Sequence, residues 1–380
     1  MKILSESALS RALSLRDLTD PSQGPHAVQK VLAAAQGALE RAWAPEVRLE
    51  RRSPIVSVTD NYDALHYPPG GASRDARYTR HVSAGTVLRT QTSAMIPPTL
   101  RELAARGQEK DVLLVCPGLV YRRDILDRLH VGEPHQVDLW RIRRDGPRLA
   151  VRDLAEMITR VADAVAPGRP VRVLPTDHPY TVEGRQVDVK VAGGWIEIGE
   201  CGLALPELLR ENGLPESASG LAMGLGLDRL VMIAKGLDDI RLLRHPDPRI
   251  AAQMVDLGPW RPVSNRPPVR RDLSLAVAGD ADAEALGDRV REVLAERAQD
   301  VEAVEVLSET PGEKLPEAAR ARLGLRDGQK NVLLRVVLRA HDRTLTDDEA
   351  NRLRDEVYAA LHEGTEWMWA AGPAAPAPAG

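Results

Sequence analysis

Residues 220–231 read GLAMGLGLDRLV, with glycines at 220, 224 and 226 among apolar residues and Asp228-Arg229 opening the apolar run to Ile233. The pattern predicts a Gly-rich strand that runs directly into a helix. Glycine lets a backbone approach a ligand closely, and an arginine at the start of the following helix suits a phosphate. The stretch is neither a P-loop nor a dinucleotide fingerprint, because the Lys-Ser/Thr ending and the required glycine spacing are absent. The same glycines would also serve tight strand–helix packing, so both readings stay open on this stretch alone.

Upstream, residues 120–138 read VYRRDILDRLHVGEPHQVD. An arginine ending one strand, a charged loop and a returning strand would line one face with functional groups. Gln136 and Asp138 are two apart, so on a strand they point to the same side. A solvated loop between edge strands has the same local pattern. Around these stretches the spacing predicts a helix over 26–43, with Val28, Val31, Leu32, Ala35 and Leu39 on one face. Further expected elements are strands at 55–58, 111–115 and 136–142, a helix at 154–165, and a hairpin across Gly193-Gly194 joining 187–191 to 195–198. Beyond the Pro-rich connector WRPVSNRPP (260–268) the order is strand 272–277, helix 283–297, strand 301–307, strand 331–340 and helix 347–361, with a last short strand near Trp367. That is a ferredoxin-like βαββαβ order. The Ala/Pro tail is expected to be disordered, and there are no internal repeats.

Composition narrows the class. The chain has 380 residues, 43% hydrophobic and 28% charged, enough for a large domain and a small one. No apolar run approaches the ~18–20 residues that span a bilayer, and the first residues lack the apolar stretch of a secretory signal. Cys116 and Cys201 form neither a disulfide framework nor a metal site, so a reducing, cytoplasmic setting is expected. The net charge of −4 advertises no general nucleic-acid binding. Residues 265–370 carry 16 Lys/Arg against 22 Asp/Glu, which leaves only a local patch of Arg261, Arg266, Arg270 and Arg271 for an RNA segment. Phe is absent from the whole chain, and six Trp and six Tyr supply the aromatic rings.

Together the two stretches, in this order, resemble motifs 2 and 3 of class II aminoacyl-tRNA synthetases. Further matches point to the phenylalanine branch. Asn61-Tyr-Asp-Ala-Leu-His66 with Ser73-Arg-Asp75 is similar to the family's NFDxL…HPARD, and Leu88-Arg-Thr-Gln-Thr-Ser93 to its LRTHTS. His178-Pro-Tyr-Thr181 resembles FPFT, and Gly194-Trp-Ile-Glu197 with Gly202 resembles GWLE…GCGM. The C-terminal region, from PPVRRD (267–272) through Thr346-Asp347, resembles the family's ferredoxin-fold anticodon-binding domain. The resemblance covers nearly the whole chain after the first helix and looks like the single-chain, organellar arrangement.

The fold it implies is α/β (α+β): a class II mixed, mainly antiparallel sheet flanked by helices, plus the C-terminal ferredoxin-like domain. The expected boundaries are catalytic domain 1–258, linker 259–268, anticodon-binding domain 269–370 and tail 371–380. The implied activity is phenylalanine–tRNA ligation, with ATP, Mg²⁺, an amino acid and tRNA as partners, no membrane, and a monomer or homodimer. By resemblance Arg122 and Asp124 bind ATP, Arg229 holds its γ-phosphate, His130 lies near the phosphates and Glu197 is the metal ligand. Ser93, Gln136, Asp138, His178, Tyr180 and Ala222 bind the amino acid, and Arg266, Arg270 and Arg271 bind tRNA. Two alternatives stand beside this: a paralogue for another aromatic amino acid or a carrier other than tRNA, and a non-catalytic RNA-binding relative. The pattern departs at specificity, where the family's two pocket phenylalanines fall on His178 and Tyr180, its histidine in LRTHTS on Gln91 and an aromatic near adenine on Pro134. A polar edge at His178 favours a side chain able to answer it. Either the pocket has moved to another substrate, or chain-wide loss of Phe changed it in passing.

Overall fold

The computed structural model describes residues 3–71, 74, 78–263 and 267–368. Its contacts divide the chain into two compact units. One holds residues 1–122, 133–238 and 252–260; the other holds 123–132, 239–251 and the chain from 261 onward. Residues 123–132 and 239–251, internal to the expected catalytic domain, group with the second unit.

The first unit is built on a seven-stranded sheet. Its strands are β1 (Glu46–Leu49), β4 (Asp111–Leu119), β5 (His135–Arg143), β6 (Val171–Pro175), β7 (Thr181–Val191), β8 (Gly194–Ala204) and β9 (Ser219–Gly226). They lie in the order β1-β4-β5-β9-β8-β7-β6, with β1 parallel to β4 and every other pair antiparallel. A separate ribbon pairs β2 (Ile55–Ser57) with β3 (Thr86–Leu88). β4 reads DVLLVCPGL and is buried from Val112 to Leu119, as a central strand covered on both faces should be. The helices Ala27–Trp43 and Val151–Val165 pack against each other. The first buries Val28, Val31, Leu32, Ala35 and Leu39, and His26 caps it, its Nδ1 accepting from the Val28 amide at 3.1 Å. The second buries Leu154, Met157, Ile158, Val161, Ala162 and Val165 at helical spacing.

Two places depend on glycine. The β7–β8 hairpin turns where expected, and Gly194 there has φ of 140°. At Gly199 a Cβ would stand 2.1 Å from the carbonyl of Gly224, so β8 and β9 approach this closely because no side chain intervenes.

The second unit has a three-stranded antiparallel sheet, ordered β10 (Val269–Ala278), β12 (Gln329–Leu338), β11 (Val301–Pro311). Alternate residues Leu273, Leu275 and Val277 on β10, and Val332, Leu334, Val336 and Leu338 on β12, join the core with helices Ala283–Leu294 and Asp347–Leu361. Thr346 and Glu349 cap the latter helix reciprocally, as their spacing allows. An unforeseen short helix, Glu317–Leu323, lies between β11 and β12. No strand forms near Trp367 among the described residues. The Trp367 ring packs edge-on against Tyr358 and His362 instead, where apolar burial replaces pairing at a sheet edge. Trp369 and the tail lie outside the described residues.

The loop that follows Arg122 belongs to this second unit. Leu126 enters its core, the Val304 amide donates to the Leu126 carbonyl at 2.8 Å, and Arg291 donates to the carbonyls of Asp124 and Ile125.

Candidate functional site

The site in the first unit is a trough on one face of the sheet, and register explains its depth. Gln136 on β5 stands opposite Gly118 and Gly226; Asp138 stands opposite Cys116 and Gly224; Trp140 stands opposite Leu114 and Ala222. Directly opposed residues share a face, so β9 presents glycine, glycine and alanine beside three large polar or aromatic side chains. A Cβ built at Gly224 would meet nothing within 4 Å. The space it leaves is a cavity lined by Asp138, His178, Tyr180, Glu200 and Ala222, among others.

Asp138 is 3% exposed. Its Oδ2 accepts from the Thr92 hydroxyl at 2.6 Å, and its Oδ1 from the Ser93 hydroxyl at 2.9 Å and the Trp140 indole at 3.0 Å. Burial pushes its carboxyl above the ordinary aspartate value, and those three neutral donors pull back only in part. The pocket wall is aromatic: Trp140 stacks on Tyr180 at 5.8 Å, and His178 lies 4.6 Å from Tyr180 and 6.3 Å from Tyr67. The Tyr67 hydroxyl donates to Gln91 at 2.8 Å, and the Tyr180 hydroxyl sits 3.3 Å from Ser93. Burial raises both phenols. His178 Nε2 pairs with Glu200 at 2.7 Å, and this hydrogen bond holds the Glu200 carboxyl below its ordinary value.

A second cluster carries charge. Arg229 sits in the first turn of helix Leu227–Lys235 and donates through Nη1 to the Glu197 carbonyl at 3.0 Å. That helix start is fastened to β5, since Asp228 accepts from the His135 backbone amide at 2.9 Å and meets its Nδ1 at 2.7 Å. Burial raises the Glu197 carboxyl, Glu200 and Asp188 raise it further, and the charges of Arg229 and Arg122 pull it down. The Arg122 carbonyl accepts from Arg80, itself paired with Glu133. Among the described residues no group of three or more His, Cys, Asp or Glu side chains could hold a metal. One carboxylate among like charges, Glu197, fits a Mg²⁺ ion that takes its other ligands from phosphates and water.

The structure thus brings together Arg122, Glu197 and Arg229, and separately Ser93, Asp138, His178, Tyr180 and Ala222, with Gln136 on the same face of β5. It assigns Asp124 and His130 to the second unit, where His130 Nδ1 meets Asp127 at 2.9 Å and lowers the Asp127 carboxyl's pKa against its burial. Arg270 and Arg271 are neighbours on β10 and face opposite ways, and Arg271 is bound to Asp347 at 2.8 Å and Asn351 at 3.0 Å. Arg266, Ser73 and Asp75 lie outside the described residues. Sequence reasoning missed Tyr67, Thr92 and Glu200. The repeated acid in Glu197-Ile-Gly-Glu200 was the available signal for the last, while Tyr67 is joined to the pocket only by the fold.

Comparison with known proteins follows the same lines. The model of the tRNA synthetases class II core domain (F) matches residues 44–254, and that of the ferredoxin-fold anticodon binding domain matches residues 264–367. The phenylalanine–tRNA ligase alpha subunit of Prochlorococcus marinus (strain NATL2A) is 36% identical over 51% of this chain and 56% of its own length. The chloroplastic/mitochondrial phenylalanine–tRNA ligase of Arabidopsis thaliana is 27% identical over 83% of this chain and 72% of its own. The chain therefore spans little more than half the length of the alpha-subunit relatives it matches. A solved pyrrolysyl tRNA synthetase from Desulfitobacterium hafniense aligns with a TM-score of 0.44 at 18% identity, over 62% of this chain and 78% of its own. With the core-domain match spanning more than half its residues, the chain belongs to the class II tRNA synthetase core family of the F type.

Proposed function

We propose that the protein is a phenylalanine–tRNA ligase that forms an aminoacyl-adenylate from ATP and transfers the aminoacyl group to tRNA. The observation that carries this reading is Asp138, a buried carboxylate held by neutral donors at the end of a ring-walled cavity. An α-ammonium is a cation that such a carboxylate would pair with, and the rings beside it suit an aromatic side chain. Gln136 adds an amide that reaches the same ammonium or carboxylate. Binding there points the substrate carboxylate toward the Arg122–Glu197–Arg229 cluster.

Activation is an in-line displacement. An oxygen of the amino-acid carboxylate attacks the α-phosphorus, the bond to the bridging oxygen breaks, and pyrophosphate leaves with that electron pair. The nucleophile is already an anion, so no base is required, and the work is positioning and neutralising charge. Arg122 holds the α-phosphate and Arg229 the γ-phosphate. Glu197 is the residue that would hold Mg²⁺, which when bound would supply further neutralisation of the phosphate oxygens. Arg270 and the segment containing Arg266 are assigned to tRNA, and two buried free thiols suit a reducing compartment such as the cytoplasm. Among the described residues no helix is long and apolar enough to cross a membrane.

The test is amino-acid-dependent ATP–pyrophosphate exchange with the purified protein. Exchange stimulated by an aromatic amino acid supports the reading; no stimulation by any amino acid defeats it.

A further inference from the structure

Two polar atoms on residues lining the amino-acid cavity are buried without a hydrogen-bond partner: His178 Nδ1 and Thr181 Oγ1. Buried polar groups are ordinarily satisfied, so such a pair calls for an explanation. His178 cannot relieve the deficit by turning. Its Nε2 is fixed by Glu200 at 2.7 Å, and Glu200 also accepts from Thr176 at 3.3 Å. The other hydroxyls of the wall are already engaged, Tyr67 with Gln91 and Tyr180 beside Ser93.

The unmet atom has a defined chemistry. With the ring neutral and its proton on Nε2, Nδ1 is an acceptor; with the ring protonated, it is a donor. A hydroxyl answers either state and a plain phenyl edge answers neither. The neighbouring rings of Tyr67 and Tyr180 still require the ligand to be flat and aromatic there. Resting on the synthetase reading above, we propose that this pocket takes a ring-hydroxylated aromatic amino acid at least as well as phenylalanine, with His178 as the specificity-determining residue and the Thr181 hydroxyl as its helper.

The experiment compares ATP–pyrophosphate exchange by the full chain with phenylalanine, tyrosine and meta-tyrosine, in the wild type and in His178→Phe and Thr181→Val. The wild type should give one hydroxylated substrate a kcat/KM equal to or above that of phenylalanine. His178→Phe should lower that ratio by about tenfold or more, and Thr181→Val should move it the same way by less. A melting curve accompanies each variant, and if His178→Phe fails to fold, the Thr181→Val ratio decides. Exchange with phenylalanine alone in the wild type, or a ratio unmoved by the variants, overturns the inference and leaves the ligase reading intact. No exchange with any amino acid overturns both.

Discussion

Asp138 and Asp239 are both aspartates sealed from solvent, 3% and 1% exposed, and they are treated in opposite ways. Asp239, in the second unit, is met by Arg241 at 2.6 and 2.9 Å and has His341 Nε2 at 3.2 Å. These partners hold its carboxyl far below the ordinary value despite burial. Asp138, in the first unit, receives two hydroxyls and an indole, and burial drives its carboxyl up. A buried charge with a cation built in is a structural pin. One given only neutral donors carries a charge that burial destabilises, and a cation bound beside it would offset that cost.

The contrast breaks most sharply at Asp138 itself. Asp138→Asn should cut amino-acid-dependent exchange by about a thousandfold, since it removes the ammonium's counter-charge. Its melting temperature should hold or rise, because a group whose folded pKa is raised costs stability once pH passes that value. Steady-state kinetics and a thermal melt on the same sample check both halves. Asp239→Asn should do the reverse, lowering unfolding stability by about 3 kcal/mol by removing the buried carboxylate that Arg241 and His341 both face. Its denaturant midpoint would show this. Because the folded pKa of Asp239 is depressed, its contribution is full above the ordinary aspartate range and is lost as pH falls through it. The wild-type advantage over Asp239→Asn should therefore shrink in acid.

Smaller effects sharpen the picture. Arg229→Lys keeps the charge and loses the planar fork, so kcat should drop about a hundredfold with amino-acid KM little changed. Gly224→Ala places a methyl where the structure has open space. It should leave stability unchanged and raise the amino-acid KM several-fold, whereas a structural glycine would show a lowered melting temperature instead.

Much of this architecture was legible in the sequence, and the limits have physical causes. Helices with one apolar face, such as Ala27–Trp43 and Asp347–Leu361, and the buried run of β4 announced themselves by period. The strand-to-helix step at Gly226–Leu227 followed from the GLAMGLGLDRLV pattern. The hairpin strands run longer than the pattern predicts, because β7 and β8 carry polar residues to their ends and their pairing has irregularities at Val182/Arg185 and Val187/Asp188 that interrupt alternation. In the site, Asp138, Tyr180 and Arg229 came from local motifs. Glu200 and Tyr67 did not, since their roles depend on which residues the sheet register and the fold set opposite His178. The attachment of residues 123–132 to the second unit is likewise invisible locally. It rests on Leu126 and Arg291, which are 165 positions apart in sequence.

The most direct test of the central claim, that Asp138 waits for the substrate's ammonium, is calorimetric titration of the intact protein with L-phenylalanine and with its deaminated analogue, 3-phenylpropionate. The account predicts binding of the amino acid that is lost in Asp138→Asn, and at least a hundredfold weaker binding of the analogue to the wild type, with order-of-magnitude support from the strength of charge-assisted pairs. Equal affinity for the two, or amino-acid binding untouched in Asp138→Asn, would contradict it.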